Sequence, residues 1–165
     1  MLKQLALWLF IFATFASFPM SAVEDKEKEK ATIKQLIFDY GKAANEHDAQ
    51  AMASFWDEDC DLITLWGQIG TGHDAIERIL TGNNASKLKQ AQQIESIEFI
   101  RLITPTVATA DVENTTIGVI DDEGRVIAPF HNHGYYVVVN KDGKWRISAY
   151  RSYVMGASKK LILEP

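Results

Sequence analysis

Apolar positions recur at intervals of three and four from Ile33 through Leu36, Ile37 and Tyr40 to Ala43 and Ala44. This spacing predicts an amphipathic helix with the Tyr40 hydroxyl at the edge of its buried stripe. Asp48 is a natural N-cap for a second helix over 49–56, which turns Met52, Ala53, Phe55 and Trp56 toward the interior. The period then drops to two. Cys60, Leu62, Thr64 and Trp66 share one face of a strand over 60–66, and Asp61, Ile63 and Leu65 share the other. Gly67, Gly70 and Gly72 punctuate a hairpin or loop, 73–80 reads as a short third helix, and the polar run 81–89 reads as loop. Four long strands follow, over 94–103, 106–120, 125–139 and 144–154, with turn signals at Thr104-Pro105, 121–124 and 140–143. Helices first and an antiparallel meander afterwards predict an α+β domain, with the helices covering one face of a curved antiparallel sheet.

The amino terminus adds a separate segment. Lys3 precedes an apolar run from Leu5 to Phe18, about fourteen residues, the length of a secretory h-region and short of the roughly 20 that cross a bilayer. Residues 1–22 therefore read as a signal peptide cleaved after Ala16 or Ala22, and the expected location is periplasmic or secreted, with no stable membrane anchor once the leader is removed. Residues 23–30 alternate acids and bases as a charged linker or helix start, and 157–165 form a tail. The 165-residue chain, 47% hydrophobic, suffices for one domain with one core. Its net charge of −5, with no dense cluster of Lys and Arg, argues against nucleic acid as a partner. Cys60 is the single cysteine, so no intramolecular disulfide forms. Flanked by acids, it reads as a buried, unreactive thiol.

The run "AANEHDAQAMASFWDEDCDLITLWG", the following "GTGHDAI" and the ending "VNKDGKWRISAYRS" resemble the nuclear transport factor 2-like superfamily, in its SnoaL-like and SgcJ/EcaC branch. The likeness spans residues 31–156. It implies a cone-shaped, strongly bent sheet capped by three N-terminal helices, a pocket between sheet and helices, and a homodimer formed through the sheet. Laid without gaps over ketosteroid isomerase, a relative, the chain puts Tyr40 at the tyrosine, Thr64 at the base and Tyr135 at the neutral acid. Threonine cannot serve as that base, so isomerase chemistry of that type is not expected. Over the association domain of calcium/calmodulin-dependent kinase, the pocket arginines fall on Thr116, Tyr136 and Ser152, so a carboxylate pocket is not inherited. Both comparisons turn Tyr150 or its neighbours Ser148 and Ser152 toward the cavity, and they disagree on whether Tyr135 or Tyr136 points inward.

Several chemistries find no support. His131 and His133 share a strand face but lack a third ligand, so no metal is expected. No serine sits on a glycine elbow, and "GQIGTG" lacks the Lys-Ser or Lys-Thr of a phosphate cradle. With no nicotinamide fingerprint either, no cofactor is expected. The acids Asp57, Glu58, Asp59 and Asp61 read as a solvated turn between helix and strand. What stands out is aromatic: Tyr40, Trp56, Trp66, Tyr136 and Tyr150 come from separate elements that this fold gathers around one cavity. Together with Thr64, Thr116 and Ser152 they are the candidate ligand-binding residues, suited to a small, mostly apolar or aromatic molecule. The same rings could instead fill a dry core. Trp145 and Ile147, expected on the opposite face of the last strand from Tyr150, suggest the dimer surface. Three functions stay open at this stage: a binding protein without assured catalysis, a cofactor-free isomerase, cyclase or dehydratase with Tyr40 and Tyr150 as hydrogen-bond donors and Asp61 or His131 as base, and a dimeric interaction module without ligand.

Overall fold

The computed structural model describes residues 20–154. The expected leader up to residue 19, including the cleavage point after Ala16, and the tail at 157–165 lie outside the described residues. Among the described residues no helix is long and apolar enough to cross a membrane.

Helix α1, Met20–Asn45, takes in the charged stretch at 24–30, where Lys30 and Glu27 pair at 2.8 Å. Ile33, Ile37, Tyr40 and Ala43 form its buried stripe. The helix ends in a Schellman turn: the Asp48 amide donates to the Ala43 carbonyl at 3.0 Å and the His47 amide to the Ala44 carbonyl at 3.1 Å. The Asp48 side chain then caps α2, Ala49–Ser54, accepting from the Ala51 amide at 2.9 Å.

α2 stops short of the predicted residue 56. The Phe55 carbonyl accepts from the Ile147 amide at 2.9 Å and Trp56 pairs with Ile147, so the sheet captures the backbone before another helical turn can form. Strand β1 therefore runs Trp56–Ile63, earlier than predicted, and Asp57, Glu58 and Asp59 belong to it rather than to a solvated turn. Only Glu58 and Asp59 are exposed; Asp57 is buried and accepts from Lys141 Nζ at 2.6 Å. A register shift between Trp56 and Asp61 changes the strand's phase.

β2, Ile69–Thr71, folds back on β1 as a short hairpin, and α3, His73–Ala85, outruns the predicted 73–80. The added turn holds because Asn83 is buried, with its amide donating to Gln68 Oε1 at 2.9 Å. β3 (Gln92–Thr104), β4 (Val107–Ile117), β5 (Phe130–Lys141) and β6 (Lys144–Tyr153) form the predicted antiparallel meander. The sheet order is β2-β1-β6-β5-β4-β3, and β1 joins β6 in parallel, which makes the curved sheet mixed. No hairpin links those two strands, so nothing local forces an antiparallel pair.

A bulge decides which residues of β6 face the helices. Val137 pairs with Ala149 but Val138 pairs with Ile147, leaving Ser148 unpaired. Trp145 and Ile147 point inward before it, Tyr150 and Ser152 after it. The expectation that Trp145 and Ile147 form an outer dimer surface is therefore corrected: both are core residues, and Trp145 Nε1 donates to Glu29 on α1. Ser148 does not face the cavity; its hydroxyl donates to the Asp59 carbonyl at 3.4 Å. The same core contains Ile33, Ile37, Leu62, Val112 and Val138, and burying each such side chain contributes about 2 kcal/mol.

Candidate functional site

Three tyrosines meet where α1 crosses the concave face of the sheet. Tyr40 comes from the buried stripe of α1, and Tyr136 and Tyr150 are direct cross-strand partners on β5 and β6. The Tyr136 and Tyr150 rings lie 4.5 Å apart, and Tyr40 meets Tyr136 edge-on at 6.3 Å. Tyr136, 1% exposed, is the inward residue of its pair, while Tyr135 lies half-buried on the outer face. The Tyr150 ring can lie where it does because residue 134 is glycine: a β-carbon there would come within 2.7 Å of the ring.

Beside these rings is a cavity of about 90 Å³. One water needs roughly 10–15 Å³ by this measure, so there is room for a small ring compound. Thr64 and Trp66 approach from the end of β1, Thr116 from β4, and Ser152 from β6. Trp66 is 38% exposed and sits at the mouth. Of the residues singled out from sequence for ligand contact, Trp56 alone does not line the cavity. It is buried behind Tyr40, ring centroids 6.2 Å apart, because the register shift in β1 turns it into the core.

The two remaining candidates, Asp61 and His131, also lie away from the cavity. Asp61 alternates with the inward Cys60 and Leu62 and pairs with Arg151, and His131 alternates with the lining residues Phe130 and Asn132. The His131 ring meets Thr115 Oγ1 at 3.1 Å on the outer face. Neither can act as a base on a molecule in the cavity without a change of strand phase.

Residues not singled out from the sequence supply much of the wall. Asn132 links two that were: Thr116 Oγ1 donates to Asn132 Oδ1 at 3.0 Å, and Asn132 Nδ2 donates to Ser152 Oγ at 3.1 Å. The alternation Phe130, Asn132, Gly134, Tyr136 was a readable signal for Asn132. Asn83 from α3 and His47 from the turn after α1 complete other parts of the wall, and no sequence spacing marked either. Among the described residues, the wall contains no lysine, arginine or carboxylate.

Burial raises the proton affinity of all three phenols. Tyr40 and Tyr136 are pushed far above the ordinary tyrosine range by burial, reinforced by Tyr150 and by Glu95. Tyr150 is raised to about 12 by burial, with the Ser152 hydroxyl acting against the shift. All three are therefore neutral hydroxyls at physiological pH. Glu95, on the inward-facing alternation of β3, is itself raised to about 7 by burial. Its carboxyl packs against α1 at Gly41, where a β-carbon would lie 2.3 Å from Oε2. Cys60 is raised to about 11, first by burial and then by Asp57, Asp61 and Asp59, which makes it a poor nucleophile.

A curled sheet closed on one side by helices, with a cavity between the layers, defines a cone of the nuclear transport factor 2-like type. The SnoaL-like domain family model matches residues 26–151, and the chain belongs to that family. No curated protein matches it in sequence. Among solved structures, it is similar to a cystatin-like-fold protein from Caulobacter vibrioides, at 23% identity and TM-score 0.71, covering 78% of this chain and 90% of that one. It is also similar to a Novosphingobium aromaticivorans protein suggested to be a scytalone dehydratase, at 20% identity and TM-score 0.71, covering 81% and 89% of the two chains. A third neighbour, a nuclear transport factor 2-like protein from the same organism, shares 18% identity at TM-score 0.66, covering 84% and 87%. At these identities the likeness concerns the fold.

Proposed function

We propose that the chain binds a small, mostly apolar or aromatic molecule in the cavity between α1, α3 and the sheet. The observation that carries this reading is the convergence of Tyr40, Tyr136 and Tyr150, from three separate elements, on one cavity with a polar wall of Thr116, Asn132 and Ser152. A thermal-shift screen with small aromatic compounds tests it. At least one compound raises the melting temperature of the wild type, and none does so in A44F, which fills the cavity. No shift across such a panel overturns the reading.

A second reading, a cofactor-free isomerase, cyclase or dehydratase, is favoured by Glu95. Its carboxyl, raised to about 7 by burial, lies beside the cavity wall in the groove at Gly41 and Gln93, and its charge acts on the phenols of Tyr40, Tyr136 and Tyr150. Such a carboxyl can exchange a proton near neutral pH. The suggested dehydratase role of the Novosphingobium neighbour points the same way. Loss of turnover in E95Q, with ligand affinity kept, would distinguish this reading from binding alone.

Export and self-association belong to the same proposal. The leader over 1–22 supports export, which is checked by sequencing the mature amino terminus from a periplasmic or culture fraction. Exposed Ile94, Phe99 and Ile103 on β3 support a homodimer through the sheet. Light scattering that returns only the monomer mass at micromolar concentrations would remove it.

A further inference from the structure

His47 occupies the left-handed position of the turn that ends α1, at φ 57°, where a β-carbon is crowded and glycine is the usual residue. Its amide bond to Ala44 and the Asp48 bond to Ala43 hold it in that conformation. The side chain lines the cavity, and besides the three phenols it is the only titratable group in the wall among the described residues. Nδ1 is sealed from solvent and has no hydrogen-bond partner among the described residues. A buried polar atom left in this state is costly unless something completes its bond. A half-turn about χ2 exchanges Nδ1 with Cδ2 and moves no backbone, so the ring can change which edge carries that nitrogen while His47 stays in the cavity wall.

Resting on the reading of the cavity as a ligand site, we propose that His47 selects the ligand, and that the ligand class is a small apolar or aromatic alcohol or phenol whose hydroxyl hydrogen-bonds to the His47 ring. A neutral imidazole offers one acceptor nitrogen, and the phenols of the same cavity wall offer O–H donors. A hydroxyl satisfies both, since it donates and accepts. A carbonyl only accepts, and a hydrocarbon does neither.

The test titrates isotope-labelled full-length protein with p-cresol and with toluene, which has the same ring without the hydroxyl, and follows the His47 ring resonances by NMR. In the wild type p-cresol binds about fivefold tighter than toluene and shifts the His47 ring signals, whereas toluene leaves them in place. H47G, whose residue suits the left-handed position, loses the preference while its melting temperature rises by about 2–4 °C. H47N, which also tolerates that backbone, keeps the fold and weakens the preference. Equal affinity for the two probes, or a p-cresol preference retained in H47G, overturns the role of His47 and leaves the cavity reading standing. If neither probe binds and the Tyr136 and Tyr150 signals stay fixed, the cavity reading falls and this inference falls with it.

Discussion

Gly134 and Tyr150 meet across the β5–β6 pair so closely that an added β-carbon at 134 would stand 2.7 Å from the ring carbon and 2.8 Å from the hydroxyl oxygen of Tyr150. Tyr150 is wedged between Gly134 and Tyr136, so it cannot yield without opening the contact at 4.5 Å. G134A is therefore expected to destabilise the protein by about 1–3 kcal/mol, the usual cost of overpacking, and to weaken aromatic ligands in the cavity. Urea unfolding measures the first effect and a ligand titration the second. An unchanged midpoint would show that Tyr150 has more freedom than this contact allows.

Glu95 makes stability depend on pH in a stated direction. Its folded value, about 7, lies above the ordinary 4.5, so between these limits the folded state binds more protons than the unfolded state. Stability from this group is full below about pH 4.5, falls as pH rises toward 7, and is flat above that. The span corresponds to roughly 3–4 kcal/mol. Comparing wild type with E95Q by urea unfolding from pH 4.5 to 8 isolates it, and E95Q should lose that slope. Identical slopes would mean that Glu95 is solvated as an ordinary carboxylate.

Asp57 and Lys141 form an ion pair with unequal burial. The Asp57 side chain is 5% exposed and the Lys141 side chain 52%. Removing the lysine strands a sealed carboxylate, whereas neutralising the aspartate leaves a lysine that water can reach. K141A should therefore lower the melting temperature more than D57N does. The pair also raises the Lys141 pKa, first through the hydrogen bond from its ammonium to Asp57. The reverse order in differential scanning calorimetry would place the burial cost on the wrong partner.

Much of the cone was legible because the period of hydrophobicity switches cleanly, from three and four along Ile33–Ala44 to two along the later strands. Asp48 announced the helix it caps, and Tyr40, Tyr136 and Tyr150 were legible as a set once the fold was suspected. What escaped depends on contacts between distant segments. The pairing of Trp56 with Ile147 ends α2 and draws three acids into β1, and no local propensity encodes that. The unpaired Ser148 shifts the phase of β6, so Trp145 and Ile147 share the inner face with Tyr150 although their spacing places them opposite. His47 escaped for a different reason: its position is set by a helix-ending turn, where the side chain carries no periodic signal.

Asn132 bridges Thr116 and Ser152 deep in the cavity wall, where Thr116 is 2% exposed and Asn132 4% exposed. Replacing it by leucine keeps the volume similar but removes the acceptor from Thr116 and the donor to Ser152. The Thr116 hydroxyl, left unpaired, makes the substitution cost about 1–3 kcal/mol. T116V alone removes the donor and orphans only one side of the Asn132 amide, so it should cost less. In the double variant T116V/N132L no orphan hydroxyl remains at 116, and the loss should be smaller than the sum of the single losses. A double-mutant cycle by chemical unfolding measures this coupling. Simple additivity would mean that the two side chains act independently, and the polar wall could not then be treated as one unit that fixes a ligand's orientation.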